Sequence, residues 1–152
     1  MRIRNNVAII GASSAIATPP FLASGYFGNR QAQFLSQLLN EAATRNLFRV
    51  VIIHHPPFHH AASWHKKLWG IERFLNIIKH HGCELVLHGH THLSTLITIQ
   101  GTTGEIPIVG ISSASQAFGD KNHLQALTYL PLMETALSGI ANCNAIALSI
   151  KK

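Results

Sequence analysis

Apolar positions along the chain fall into short dense runs separated by polar, proline-rich stretches, and the spacing inside each run predicts an element. Residues 7–11 (VAIIG) read as a buried strand. A loop rich in Pro and Gly follows, and then residues 31–45, where Phe34, Leu35, Leu38, Leu39 and Ala42 recur at helical spacing. Residues 48–53 carry a β-branched run, the mark of a strand covered on both faces. Pro56 and Pro57 stop it, and the chain enters a loop rich in histidine and aromatics. Residues 70–81 predict a second helix, with Ile71, Phe74, Leu75 and Ile78 inward and Gly82 at its C-terminal cap. A strand over 84–88 comes next, then strands over 96–99 and 106–111 joined by the glycine-containing turn QGTTGE. Residues 124–150 predict one or two further strands, and no repeat or low-complexity segment interrupts the pattern.

Strand, helix, strand over residues 48–88 is a βαβ unit, which makes this an α/β chain. Such a unit sets its strands parallel through a right-handed crossover. Both strands then finish on one edge of the sheet, where open α/β sheets build their sites. Each of these two finishes in histidine, one in RVVIIHHPPF and the other in ELVLHGHTHL. His54 and the His90/His92 pair should therefore converge, although 36 residues separate His54 from His90.

Ten of the eleven histidines lie within residues 54–92, which turns convergence into a question of chemistry. Imidazole suits zinc, iron, manganese and related divalent ions. Gly89 lets the backbone turn sharply enough to aim two side chains from one loop. A single loop histidine is ordinarily bonded to backbone and water; three at coincident strand ends favour a metal site. His55, His59 and His60 read as lining the substrate-side loop, together with His65. His80 and His81 close a helix and face its dipole and solvent. His88, on the strand itself, reads as structural.

Composition narrows the function classes. The 152 residues are 47% apolar, enough for one domain with a real core. The formal charge of +6 reflects few acids rather than many bases. The acids are Glu41, Glu72, Glu84, Glu105, Asp120 and Glu134, so there is one aspartate. No basic stripe interleaves with aromatics, so no nucleic-acid partner is expected. Cys83 and Cys143 are lone cysteines, read as buried thiols of a reducing, cytoplasmic compartment. The first 25 residues imitate a secretory signal, but Ser13, Ser14 and Thr18 dilute the apolar stretch and favour a strand followed by a loop. The best apolar run near the C-terminus is broken by Asn142 and Asn144, so no membrane span is expected.

VVIIHHPP followed by ELVLHGHTH resembles the last two motifs of the calcineurin-like metallophosphoesterases, in particular the bacterial branch of cyclic-nucleotide and glycerophosphodiester hydrolases. GNRQAQFLSQLL is similar to the helix before the first motif, and PIVGISSAS to the strand after the second, so the resemblance covers residues 7–117. It implies that His54 and His90 share one ion and that His92 touches a second. Two divalent metals (Mn, Fe or Zn) would then clamp a phosphoryl group and lower the pKa of the attacking water.

The family's earlier half has no counterpart ahead of these motifs: Asp-x-His and Gly-Asn-His are absent, and no Gly-Asp precedes HHPP. In FGNR, Arg30 stands where the histidine should, and Asp120 in FGDK follows the GHTH motif instead of preceding it. A dinuclear centre needs anionic ligands to balance its charge. The resemblance thus implies a single partial domain over residues 1–152, the C-terminal half of a two-sheet sandwich flanked by helices. It further implies a metal-dependent hydrolase of small phosphoesters or phosphodiesters, with no catalytic residue of its own assigned and at most weak, partial metal binding. A complementary N-terminal half chain or a homo-oligomer is the implied partner. The alternative is a catalytically inactive fragment that binds a metal or a partner.

Overall fold

The computed structural model describes residues 1–112; the strands expected over 124–150, together with Asp120 and Cys143, lie outside them. A hairpin opens the chain, with β1 (Arg2–Arg4) and β2 (Val7–Ala12) turning at Asn5, whose φ of 52° is one that asparagine tolerates. There follow β3 (Gly25–Tyr26), α1 (Asn29–Thr44), β4 (Phe48–Ile53), β5 (Leu68–Trp69), α2 (Ile71–His81) and β6 (Leu85–His88). A second hairpin, β7 (Thr95–Gly101) and β8 (Gly104–Gly110), ends the described part.

The main sheet has the order β1-β2-β4-β6-β8-β7. Its inner strands β2, β4, β6 and β8 are parallel, and β1 and β7 run antiparallel at the two edges. The α/β expectation holds, with two βαβ units, β2-α1-β4 and β4-α2-β6, stepping the same way across the sheet. Right-handed crossovers that step in one direction lay both helices on one face. Strand alternation then decides the core. Ala8, Ile10, Val51, Ile53, Val86, Ile106 and Ile108 are each at most 1% exposed. Leu35 and Leu39 of α1 and Phe74 and Ile78 of α2 complete this layer, with Phe27 set edge-on to Phe74 at 5.2 Å.

Two sequence expectations are corrected here. The run over 48–53 predicts a strand covered on both faces, yet Ile52 is 41% exposed, and its sheet-face neighbours Ile9 and Leu96 are 37% and 46% exposed. Register aligns Gly11, Ile52, Leu87, Val109 and Leu96 in one row across this second, more open face. Phe34, placed inward by its spacing, is exposed beside the Arg30 guanidinium, because α1 buries only the narrower stripe of Ala32, Leu35, Leu39 and Ala42.

β1 and the parallel β3–β5 pair have no counterpart in the sequence reading. Ala23, Gly25 and Phe27 donate to the carbonyls of His65, Lys67 and Trp69 at 2.8, 3.1 and 2.8 Å, a ladder that lays the proline-rich loop along the histidine-rich one. Among the described residues no helix is long and apolar enough to cross a membrane. Cys83 is buried, and burial, aided by the Glu84 charge, pushes its thiol up to about 12, so it is unreactive.

At the edge where β4 and β6 begin, Arg49 and Glu84 form a fork. Arg49 donates from its backbone N–H and Nε to Glu84 Oε2 at 2.5 and 3.1 Å, and from Nη2 to Oε1 at 2.7 Å. Its Nη1 reaches the His81 carbonyl at the end of α2, 2.9 Å away. Removing one partner of a buried pair strands the other without water or counter-charge. Glu84→Ala should therefore cost about 3 kcal/mol in urea denaturation, the low end for breaking such a pair. A loss below about 1 kcal/mol would instead place the fork among ordinary surface pairs.

Candidate metal centre

At the opposite edge, β4 and β6 end level with each other, Ile53 pairing with His88. The ladder continues one step further, since the Gly89 N–H donates to the His54 carbonyl at 3.1 Å. The two histidine loops thus leave the sheet from the same point. His90 then sits at φ 69° in a three-residue turn closed by Thr91 N–H to the Gly89 carbonyl, 2.9 Å. That φ and that bond are those of the rare, strained γ-turn. His92 follows at φ 57°, also left-handed. Two non-glycine residues held this way mark a loop shaped for more than connection.

His54 and His90 meet directly, with His54 Nε2 and His90 Nδ1 3.0 Å apart and the ring planes at 74°. The remaining nitrogen, His90 Nε2, is buried without a hydrogen-bond partner among the described residues. His55 completes the group: one nitrogen from each of His54, His55 and His90 lies within 4.8 Å of the others. Its ring lies 4.3 Å from that of His90, tilted by 41°, and edge-on to His54 at 5.0 Å. No carboxylate belongs to this group among the described residues.

Electrostatics favour neutral rings. Burial, followed by the charges of His55, His54, Lys66 and His92, pushes His90 down to about 4. Burial also lowers His55, against the opposing effect of its bond to the Ala23 carbonyl. Neutral imidazole is the form that binds a cation.

The other histidines have other partners. His59 Nε2 pairs with Glu72 Oε1 at 2.5 Å, which draws it toward the start of α2, and His60 is exposed at φ 62° beside the His59 ring. His65 contacts Ser63, and His81 donates from Nδ1 to Asn40 Oδ1 at 2.8 Å. His88 is buried, bonded to the Gly89 carbonyl and Thr95 Oγ1, with Phe58 against its ring. His92 is exposed and outside the three-nitrogen group, although its charge reaches His90. Ser14, Ala23 and Gly25 surround His55, and the sequence marked none of them as a site residue, because they lie in the Pro- and Gly-rich loop after the first strand.

Imidazole nitrogens bind such ions at roughly 2.0–2.1 Å, so two of them at a right angle on one ion stand about 3 Å apart. The His54–His90 separation of 3.0 Å fits that requirement. The described residues fit one cation's partial shell, and they offer no anion for a second. No family model and no curated protein matches this chain. A solved structure of a dimetal phosphatase from Danio rerio is similar at 22% identity and a TM-score of 0.48, over 59% of this chain and 28% of that one.

The lowered histidines set a pH dependence. His90 falls from 6.5 in the unfolded chain to about 4 when folded. Between those values the unfolded state binds more protons, so stability rises with pH. The metal-free chain should thus be fully stabilised above about pH 6.5 and lose that contribution as pH falls toward 4. Urea midpoints measured across this window check it; a midpoint that rises on acidification would contradict it.

Proposed function

We propose that the chain is the histidine-bearing part of a metal-dependent hydrolase of phosphoesters or phosphodiesters. The observation that carries this reading is the 3.0 Å approach of His54 Nε2 and His90 Nδ1 at coincident parallel strand ends. The HHPP and GHTH motifs add support through their resemblance to metallophosphoesterases. His54 and His90 would hold one ion and His92 would reach the second, with Mn, Fe or Zn as the suited metals. When bound, the metals lower the pKa of water and neutralise phosphoryl charge. The chain's own residues orient and supply charge. The Gly89–His54 backbone bond fixes the angle between the loops, and Lys66, whose charge acts on His90, offers a cation to a phosphoryl oxygen.

The missing carboxylates define the partner. Among the described acids, Glu41, Glu72 and Glu84 pair with Arg45, His59 and Arg49, and none belongs to the histidine group. In this reading a complementary chain or a second copy supplies them, docking on the face that exposes Ile9, Ile52 and Leu96. The second reading, a metal- or partner-binding module without catalysis, is favoured by the same lack of an acid in the group.

Calorimetric titration with Zn²⁺ or Mn²⁺ should show weak binding by the purified chain, abolished in the His54→Ala, His90→Ala double variant and retained in His80→Ala. Binding unchanged in the double variant would move the site elsewhere. Alone, the chain should hydrolyse bis-p-nitrophenyl phosphate no faster than its His92→Ala variant, since loss of a general acid by itself costs about 10²- to 10⁴-fold. Metal-dependent turnover that rises steeply with protein concentration, and that His92→Ala removes, would show instead that a second copy rebuilds the site.

A further inference from the structure

His55 lies close enough to His54 and His90 to count as a third ligand, but its hydrogen bonds argue otherwise. Its Nε2 stands 3.0 Å from the Ala23 carbonyl, which can only accept, so Nε2 carries the proton. Nδ1 is then the lone-pair nitrogen, and the Ser14 hydroxyl donates to it at 2.7 Å. The same Ser14 oxygen accepts from the His55 backbone N–H at 3.4 Å. Ser14 and His55 are 2% and 5% exposed, so this is an interior arrangement that water does not compete for. Gly25 closes it from the β3–β5 ribbon, where any Cβ would overlap the His55 ring. Both nitrogens of His55 are engaged, and the surface it offers its neighbours is the ring.

We propose that His55 is a positioning residue and not a metal ligand: Ser14 and the Ala23 carbonyl lock one tautomer and one ring orientation, and the locked ring supports His90 against His54. This deepens the metal reading above and rests on it. Outer-sphere bonds of this kind orient ligands, and their loss typically weakens binding about 10- to 100-fold. A ligand role and a positioning role predict opposite effects of Ser14. If His55 Nδ1 were a ligand, Ser14 would compete with the cation, and Ser14→Ala would tighten binding. If His55 positions, Ser14→Ala loosens the support and weakens it.

The test uses the full chain, ¹⁵N-labelled, with long-range ¹H–¹⁵N spectra of the imidazoles before and after addition of Zn²⁺ alone, beside calorimetric titration of wild type and Ser14→Ala. The expected result is an Nε2–H tautomer at His55 that persists with Zn²⁺, shifts at His54 Nε2 and His90 Nδ1, and an affinity about 10- to 100-fold lower in Ser14→Ala. A Zn²⁺-induced shift at His55 Nδ1, or unchanged or tighter binding by Ser14→Ala, would overturn the proposal while leaving the metal site standing. If wild type binds no Zn²⁺, the metal reading fails. The metal-free spectrum then still decides the lock, with Nε2–H upholding it and Nδ1–H refuting it.

Discussion

The parallel register of β4 on β6, carried past the strands by the Gly89 N–H to the His54 carbonyl, is the constraint on which the rest of this molecule depends. A slip of one residue would exchange the two faces of a strand. It would turn Val51 and Ile53 out of the core and separate the loops that carry His54 and His90. The core and the histidine group are therefore specified by one pairing, and neither can be altered alone. The same pairing holds His90 in its left-handed turn, a conformation costing on the order of 1–3 kcal/mol that the packed sheet behind it sustains.

The two edges of the sheet are chemically opposite. Where β4 and β6 begin, Arg49 and Glu84 satisfy one another and tie down the end of α2. Where they end, the His54, His55 and His90 rings are closely grouped, burial pushes His90 down to about 4, and its buried Nε2 lacks a hydrogen-bond partner among the described residues. Charges at the first edge are compensated internally, so they add rigidity without reactivity. At the second, the described residues leave the bonding of the histidine group incomplete; on the proposed reading an ion between His54 and His90 completes it.

Among the described residues, the open sheet face and the lack of a carboxylate in the histidine group are two aspects of one shortage. A sheet with helices on one side needs a second layer to cover the other. A centre built from imidazoles alone carries the full charge of any ion it binds. A partner that covered Ile9, Ile52 and Leu96 and brought carboxylates to the strand ends would relieve both.

Much of this was legible in the residues themselves. Periodicity located both helices and the parallel strands, because burial on one side of a helix or strand imposes a local repeat. The convergence of His54 and His90 followed from the parallel pairing of a βαβ unit, which ends both strands on one edge and needs no coordinates to foresee, while His92, expected with them, lies outside the group. The pieces that escaped have no local signature. β3 and β5 are two residues each, too short for a period, and exist because each supplies the other's ladder. The His59–Glu72 pair and the exposure of Phe34 depend on where neighbouring elements happen to lie. The contact of Ser14 with His55 spans 41 residues and joins the Pro- and Gly-rich loop to the histidine-rich one. Composition could announce that histidines gather at the strand ends. Which of them keeps a free lone pair was decided by tertiary packing, since a hydroxyl and a carbonyl had to arrive from elsewhere in the chain to occupy His55.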